Sequence, residues 1–187
     1  MLAAACGGCA IAPVAPPSPP PDPESFQQWT ASGRLALAAN GEGGSGSFTW
    51  GQHGAETTLA IRGPLGAGAM QVTTDGQSLI VTDAEGRHLD TEQSRALLTR
   101  RLGTELPLAE LRYWMLGVPS PGSPSSVADA AIAPLRVIEQ SGWRIGYDTF
   151  TAAGGVSLPE RFTATQGAVR LKVVVDDWKD AAPGPGP

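Results

Sequence analysis

Cysteine is nearly missing from this chain: only Cys6 and Cys9 occur among 187 residues, both within the first ten. The remainder therefore has no disulfide framework and no thiol nucleophile. Cys6-Gly7-Gly8-Cys9 has CxxC spacing, but zinc needs two further ligands and a redox pair needs a helix start beside a strand. The histidines, His53 and His88, lie far apart in sequence. Together with scattered carboxylates they form no triad or metal cluster by spacing. Asp176 and Asp177 are adjacent, hence on opposite faces of a strand, and cannot serve as a carboxylate pair. No Gly-Lys pair exists, which excludes a P-loop. Gly44-Ser45-Gly46-Ser47 has the wrong spacing for a G-x-S-x-G elbow. No run of 18 apolar residues offers a membrane-spanning helix. Thirteen basic residues against 18 acidic ones give a net charge of −5, and no Lys/Arg stripe is visible, so nucleic acid is set aside as a partner. No catalytic residue, metal or cofactor is expected, and the chain reads as non-enzymatic.

What is present is 41% apolar residues, enough for one core, and 17 prolines crowded towards the two ends. Met1-Leu2-Ala3-Ala4-Ala5-Cys6 resembles the cleavage end of a bacterial lipoprotein signal, although a basic start and a full apolar stretch are missing. The true start is expected upstream, with Met1 inside the signal. Residues 1–11 are thus read as the signal end and lipid-attachment region. Cys9, preceded by Gly8, is preferred as the acylated residue; Cys6 is the alternative. Residues 12–25 are Pro-rich and should form an extended tether, reaching roughly 3 Å per residue. Residues 26–178 form the expected domain and 179–187 a disordered tail.

From Trp29 onward the chain alternates with period two, the pattern of half-buried strands. Leu35 and Leu37 lead to a turn placed at Asn40 to Gly46; Phe48 and Trp50, Leu59 and Ile61, Met70 and Val72 follow. Asp75-Gly76 is a hairpin cue before Leu79 and Val81. The period then changes. Asp90 or Thr91 can cap a helix over Glu92–Leu102 ended by Gly103, and Pro107 can start a second over Leu108–Leu116. Leu108, Leu111, Trp114 and Met115 make its apolar face. Residues 119–133 read as a loop. Strands resume at Leu135–Gln140, Trp143–Asp148, Leu158–Thr165 and Val169–Asp176. The fold class is mainly β (α+β): about nine or ten strands in a single curved antiparallel sheet, an incomplete barrel, with helices covering its concave hydrophobic side. Periodicity leaves open whether that side is solid or hollow.

An ordered series of punctuating residues carries a resemblance. It runs Trp29-x-x-x-Gly33-Arg34-x-Ala36, Gly46-x-Phe48-x-Trp50, Gly63-Pro64-Leu65-Gly66 and Leu97-Leu98 before Leu102-Gly103. It continues Pro107-Leu108-x-x-Leu111-x-Tyr113-Trp114-x-x-Gly117-x-Pro119, Gln140-x-Gly142-Trp143-x-x-x-Tyr147, Leu158-Pro159 and Arg170-Leu171-Lys172-Val173 to Asp177-Trp178. Each piece is weak and the order is specific. Over residues 26–178 the chain resembles the outer-membrane lipoprotein receptor family LolB.

The resemblance implies a monomer held on the periplasmic face of the outer membrane by its own N-terminal acyl anchor. It implies acceptance of acylated lipoproteins from the periplasmic carrier LolA and their release into the membrane. Acyl burial is worth about 0.8 kcal/mol per CH₂, so a multiply acylated protein needs a hydrophobic hollow at each stage. With no nucleotide site, transfer must run downhill. Candidate lining residues are the inward-facing set Leu35, Leu37, Phe48, Trp50, Leu59, Ile61, Met70, Val72, Leu79, Val81, Trp114, Ile145, Tyr147, Phe162, Leu171 and Val173. The resemblance also gives Gly63, Pro64, Leu65 and Gly66 the role of a protruding membrane-insertion loop. Trp29, Trp143 and Trp178 are expected to be structural. The alternatives are a tethered binder of another lipid and a structural assembly lipoprotein with a solid core.

Overall fold

The computed structural model describes residues 19–63, 68–102 and 107–181. Cys6, Cys9, Pro64, Leu65 and Gly66 lie outside the described residues. Six strands come first: β1 (Gln28–Ala39), β2 (Glu42–His53), β3 (Glu56–Arg62), β4 (Met70–Thr74), β5 (Leu79–Thr82) and β6 (His88–Leu89). Two helices follow, α1 (Thr91–Leu102) and α2 (Leu108–Met115). Five more strands complete the order: β7 (Ser125–Asp129), β8 (Arg136–Gln140), β9 (Trp143–Ala153), β10 (Val156–Gln166) and β11 (Val169–Lys179).

All eleven strands join one antiparallel sheet in the order β6-β5-β4-β3-β2-β1-β11-β10-β9-β8-β7. β6 and β7 do not pair, so the sheet is an unclosed barrel. Consecutive strands pair as short hairpins except β6 and β7, which the two helices separate, and β1 pairs with β11 from the other end of the sequence. The turn between β1 and β2 is shorter than the sequence suggests. Asn40 and Gly41 alone make it, at φ 53° and 82°, as a two-residue hairpin demands. Glu42 to Gly46, read as part of the turn, are strand. β7 lies within 119–133, read as loop. All five of its residues are exposed, so no buried face marks it in the sequence.

Sharp curvature needs missing side chains. At Gly33, where the β1–β11 register shifts, a Cβ would stand 2.0 Å from the Val174 carbonyl oxygen. At Gly46 it would stand 2.2 Å from that of Arg62. Only glycine lets the backbones approach so closely.

Both ends of the domain extend further than composition implies. Pro19, inside the expected tether, accepts a hydrogen bond from Ser157 N at 3.0 Å, and Pro21 and Phe26 are buried. β11 continues to Lys179, and Ala181 packs into the core.

Candidate functional site

The concave face is filled on one side and hollow on the other. α2 lies over β8–β10, where Ile138, Trp143, Ile145, Tyr147 and Leu158 pack tightly, each at most 2% exposed. α2 is fixed there by hydrogen bonds. Trp114 Nε1 donates to Gln140 Oε1 at 2.9 Å, and the Tyr147 hydroxyl donates to the Trp114 carbonyl at 2.7 Å. Gln140 also accepts from Ser120 N and donates to the Ser120 and Ser123 carbonyls, so its amide is fully used. Glu110 in the first turn of α2 accepts from the Ser123 and Ser141 hydroxyls, each at 2.7 Å. Arg136 donates to the Gly117 carbonyl just past the helix, and Arg112 to that of Gly54.

Beside this solid part lies a cavity of about 160 Å³ whose lining is entirely apolar. Leu35, Leu37, Phe48, Trp50, Leu59, Ile61, Met70, Val72, Trp114, Phe162, Leu171 and Val173 line it. Leu35, Leu37, Leu59, Ile61, Met70 and Leu171 face inward yet stay only half-buried, which marks space that no side chain fills. The cross-strand partners of Leu35 and Leu37 on β2 are Gly46 and Gly44. Residues paired across two strands share a face, so two positions of the inner wall carry no side chain. The two lining indoles on polar leashes turn their N–H groups to satisfied partners, Trp114 to Gln140 and Trp50 to Gln52 Oε1 at 3.1 Å. Their apolar rings are left to the hollow.

Four predicted lining residues are elsewhere. Leu79 and Val81 sit in a separate cluster with Val72, covered by Leu97 and Leu98 of α1. Ile145 and Tyr147 lie beneath α2, fully buried, with Tyr147 against Phe150 and Phe162. Period two gives the face of a strand but not which part of that face a helix covers. Leu98, Leu111, Met115, Trp143, Ala164 and Val169 line the cavity and were not foreseen there. Val169 and Ala164 simply continue the alternation of Leu171 and Phe162. Leu111 and Met115 belong to the apolar face of α2. Trp143 also stacks at a tilt on Trp114, with ring centroids 6.1 Å apart.

Trp29 lies parallel to Trp50, centroids 5.9 Å apart, and against Trp178 at 5.3 Å. This stack ties β1, β2 and β11 together at one end of the sheet. Of the expected insertion loop only Gly63 is described, just past the end of β3.

α1 is held differently from α2. Asp90 and Gln93 form a reciprocal cap, Gln93 N to Asp90 Oδ1 at 2.9 Å and Asp90 N to Gln93 Oε1 at 3.3 Å. Ser94 Oγ accepts from Val81 N and Thr91 Oγ1 from Leu79 N, both at 3.0 Å. These bonds satisfy backbone donors of β5 and lie in the first turn of the helix. Further along, α1 contributes Leu98 to the hollow. Among the described residues no group of three metal-ligating side chains occurs.

The family model for the outer membrane lipoprotein LolB matches residues 27–178. A protein of Halorhodospira halophila named outer-membrane lipoprotein LolB is 33% identical over 155 residues, covering 82% of this chain and 76% of the relative. One of Pseudomonas paraeruginosa with the same name is 32% identical over 152 residues, covering 81% and 74%. Among solved structures, a LolA superfamily protein of Nitrosomonas europaea superposes with a TM-score of 0.53 at 10% identity, covering 82% of this chain and 86% of its own. A DUF1329 family protein of Desulfovibrio piger reaches 0.51 at 9% identity, covering 88% of each. At such identities the likeness is one of fold.

Proposed function

The chain belongs to the outer membrane lipoprotein LolB family, with a part in lipoprotein localisation at the outer membrane, and from that premise we propose that its hollow receives lipoprotein acyl chains. The donor is a soluble periplasmic carrier, LolA in the family's scheme, and the acceptor is the outer membrane. The observation that carries this reading is a cavity whose lining includes no polar side chain, inside a sheet with an open side.

Size decides how the hollow must work. A dry apolar cavity of about 150 Å³ holds a guest the size of benzene, so a hollow of about 160 Å³ takes only part of one chain. Acceptance therefore requires one wall to yield. α2 is pinned along its length to β8, β9 and the loop after it. α1 is pinned at its start and covers the hollow with Leu98, so α1 is the element that gives way. Met70 and Met115 add side chains that repack readily around different guests. Such a site binds without tight complementarity, and a loosely held chain can pass on to a bilayer with no nucleotide.

The lipid anchor is assigned to Cys9, with Cys6 as the alternative. Pro64, Leu65 and Gly66, with Gly63, are assigned to membrane insertion, since a leucine side chain gains roughly 1.5–3 kcal/mol on entering an apolar phase.

The test is transfer. The full chain is mixed with carrier loaded with an acylated lipoprotein, without nucleotide, and the lipoprotein is followed by pull-down. It should move onto this chain and then into added vesicles. Leu65→Glu should accept lipoprotein normally and fail at the vesicle step. Retention by a competent carrier would leave a tethered binder of another lipid as the better reading.

A further inference from the structure

Cations that are scattered in sequence converge on the convex face of the sheet. Arg62 pairs across the strands with Ser47, Ser47 with Arg34, Arg34 with Val174 and Val174 with Arg161. These positions form one row. Lys172 stands in the next row, beside Ala36 and Thr163, and Arg170 and Arg144 in the one beyond, on either side of Thr165. All six cations are exposed. From β3 to β9 they span five strand spacings, roughly 24 Å.

Two carboxylates lie within this field and both are engaged. Asp176 accepts two bonds from Arg34, at 2.8 and 3.1 Å, and Glu139 lies 3.6 Å from Arg144. Asp148 and Glu160, the two residues that the β9–β10 register skips, border it. Arg161 adds to Arg34 in holding the Asp176 carboxyl below its ordinary pKa, and Arg62, Arg170 and Lys172 lie within 4 Å of no carboxylate among the described residues. The basic face stands out on a chain whose net charge is −5.

Resting on the reading that the chain works at the outer membrane, we propose that this convex face docks on anionic phospholipid headgroups. Protein interfaces draw their energy from buried aromatic and large apolar anchors. Between the cations this face offers Ala36, Ala38, Ser45, Ser47, Thr163 and Thr165 instead, with no aromatic side chain in those rows. Spread cations on small polar side chains suit a plane of phosphates, where each basic residue near an anionic surface strengthens binding roughly fivefold. Arg62 is also the last residue of β3, next in sequence to the loop assigned to insertion. Headgroup contact would hold that end of the sheet at the membrane while the concave side stays free for the carrier.

The test uses the full 187-residue chain with Cys6→Ser and Cys9→Ser, so that acylation does not mask the face. Sedimentation is measured with phosphatidylethanolamine vesicles containing phosphatidylglycerol and with phosphatidylcholine vesicles. The anionic vesicles should bind at least about tenfold more tightly, and added chloride should weaken the binding. Arg161→Gln/Arg170→Gln/Lys172→Gln should lower it by up to about a hundredfold while keeping dye uptake by the hollow. Inorganic phosphate should compete no better than chloride of equal ionic strength; stronger competition would mean a discrete phosphate-ion site and overturn docking on a surface. Equal binding to both vesicle types, or an unaffected triple variant, would also overturn it. So would a triple variant that instead loses uptake from loaded carrier without vesicles, since the face would then be a protein-docking surface. Vesicle preference with no acyl uptake by the unsubstituted face and hollow would leave headgroup docking standing and remove the acyl-receptor reading alone.

Discussion

Trp114 and Gln140 are joined by a 2.9 Å hydrogen bond from the indole Nε1 to the amide oxygen, which fixes one helix to the eighth strand of the sheet. The same amide serves Ser120 and Ser123. Trp114 thereby presents its ring to the hollow from an immobile mount, and the solid and hollow parts of the concave side meet at this residue.

Gln140→Ala removes the partners of one indole N–H, one backbone N–H and two carbonyls in a buried setting. Unsatisfied buried groups cost about 1–3 kcal/mol each where water cannot replace the partner. A net loss of about 2–4 kcal/mol is expected in urea unfolding of the full chain. A loss under about 0.5 kcal/mol would show that α2 is held by packing alone.

Ser94→Ala affects the other helix. Ser94 is fully buried; its hydroxyl accepts from Val81 N and donates to the Leu89 carbonyl. Stability should fall by about 1–2 kcal/mol, and a hydrophobic dye should enter the hollow faster. Unchanged dye entry alongside reduced stability would mean that α1 is not the wall that yields.

Gly33→Ala and Gly44→Ala separate backbone proximity from glycine content. A Cβ at 33 meets the Val174 carbonyl oxygen at 2.0 Å, whereas one at 44 meets nothing within 4 Å. The first should cost about 2 kcal/mol or more and the second stay within about 0.5 kcal/mol. Thermal unfolding of the pair checks the contrast.

Tyr147 predicts a pH dependence. Burial keeps its phenol neutral well above the ordinary range, outweighing the opposing field of Arg136. In the unfolded chain it ionises near pH 10. A group whose folded pKa is raised contributes stability that is present below the unfolded value and lost as pH rises beyond it. Tyr147→Phe forfeits the bond to the Trp114 carbonyl, about 1 kcal/mol at neutral pH, but escapes that alkaline loss. The stability gap between the two proteins should therefore narrow above pH 10; a constant gap would mean that Tyr147 ionises in the folded state.

Alternation made most strands legible because Leu35, Phe48, Leu59, Phe162 and Val173 each repeat an inward position at period two. β7 escaped because Ser125-Ser126-Val127-Ala128-Asp129 buries nothing. The Glu42–Gly46 stretch was read as turn because glycine is depleted in strands, although Gly44 and Gly46 are where the inner wall is left bare. Leu79, Val81, Ile145 and Tyr147 have the correct face, but their place under a helix depends on contacts distant in sequence. The convex basic face is invisible in sequence for the same reason: Arg34, Arg62 and Arg161 become neighbours only through the register of β1, β2, β3, β10 and β11.

Site-specific photocrosslinking during transfer tests the acyl hollow most directly. A benzophenone side chain is placed at Leu171, inside the hollow, or at Thr163 on the convex face, and carrier loaded with radiolabelled acyl lipoprotein is added. Crosslinks to the labelled acyl chain are expected from position 171 and not from 163. Efficient transfer with no crosslink at 171, or with crosslinks only at 163, would contradict acyl binding in the hollow.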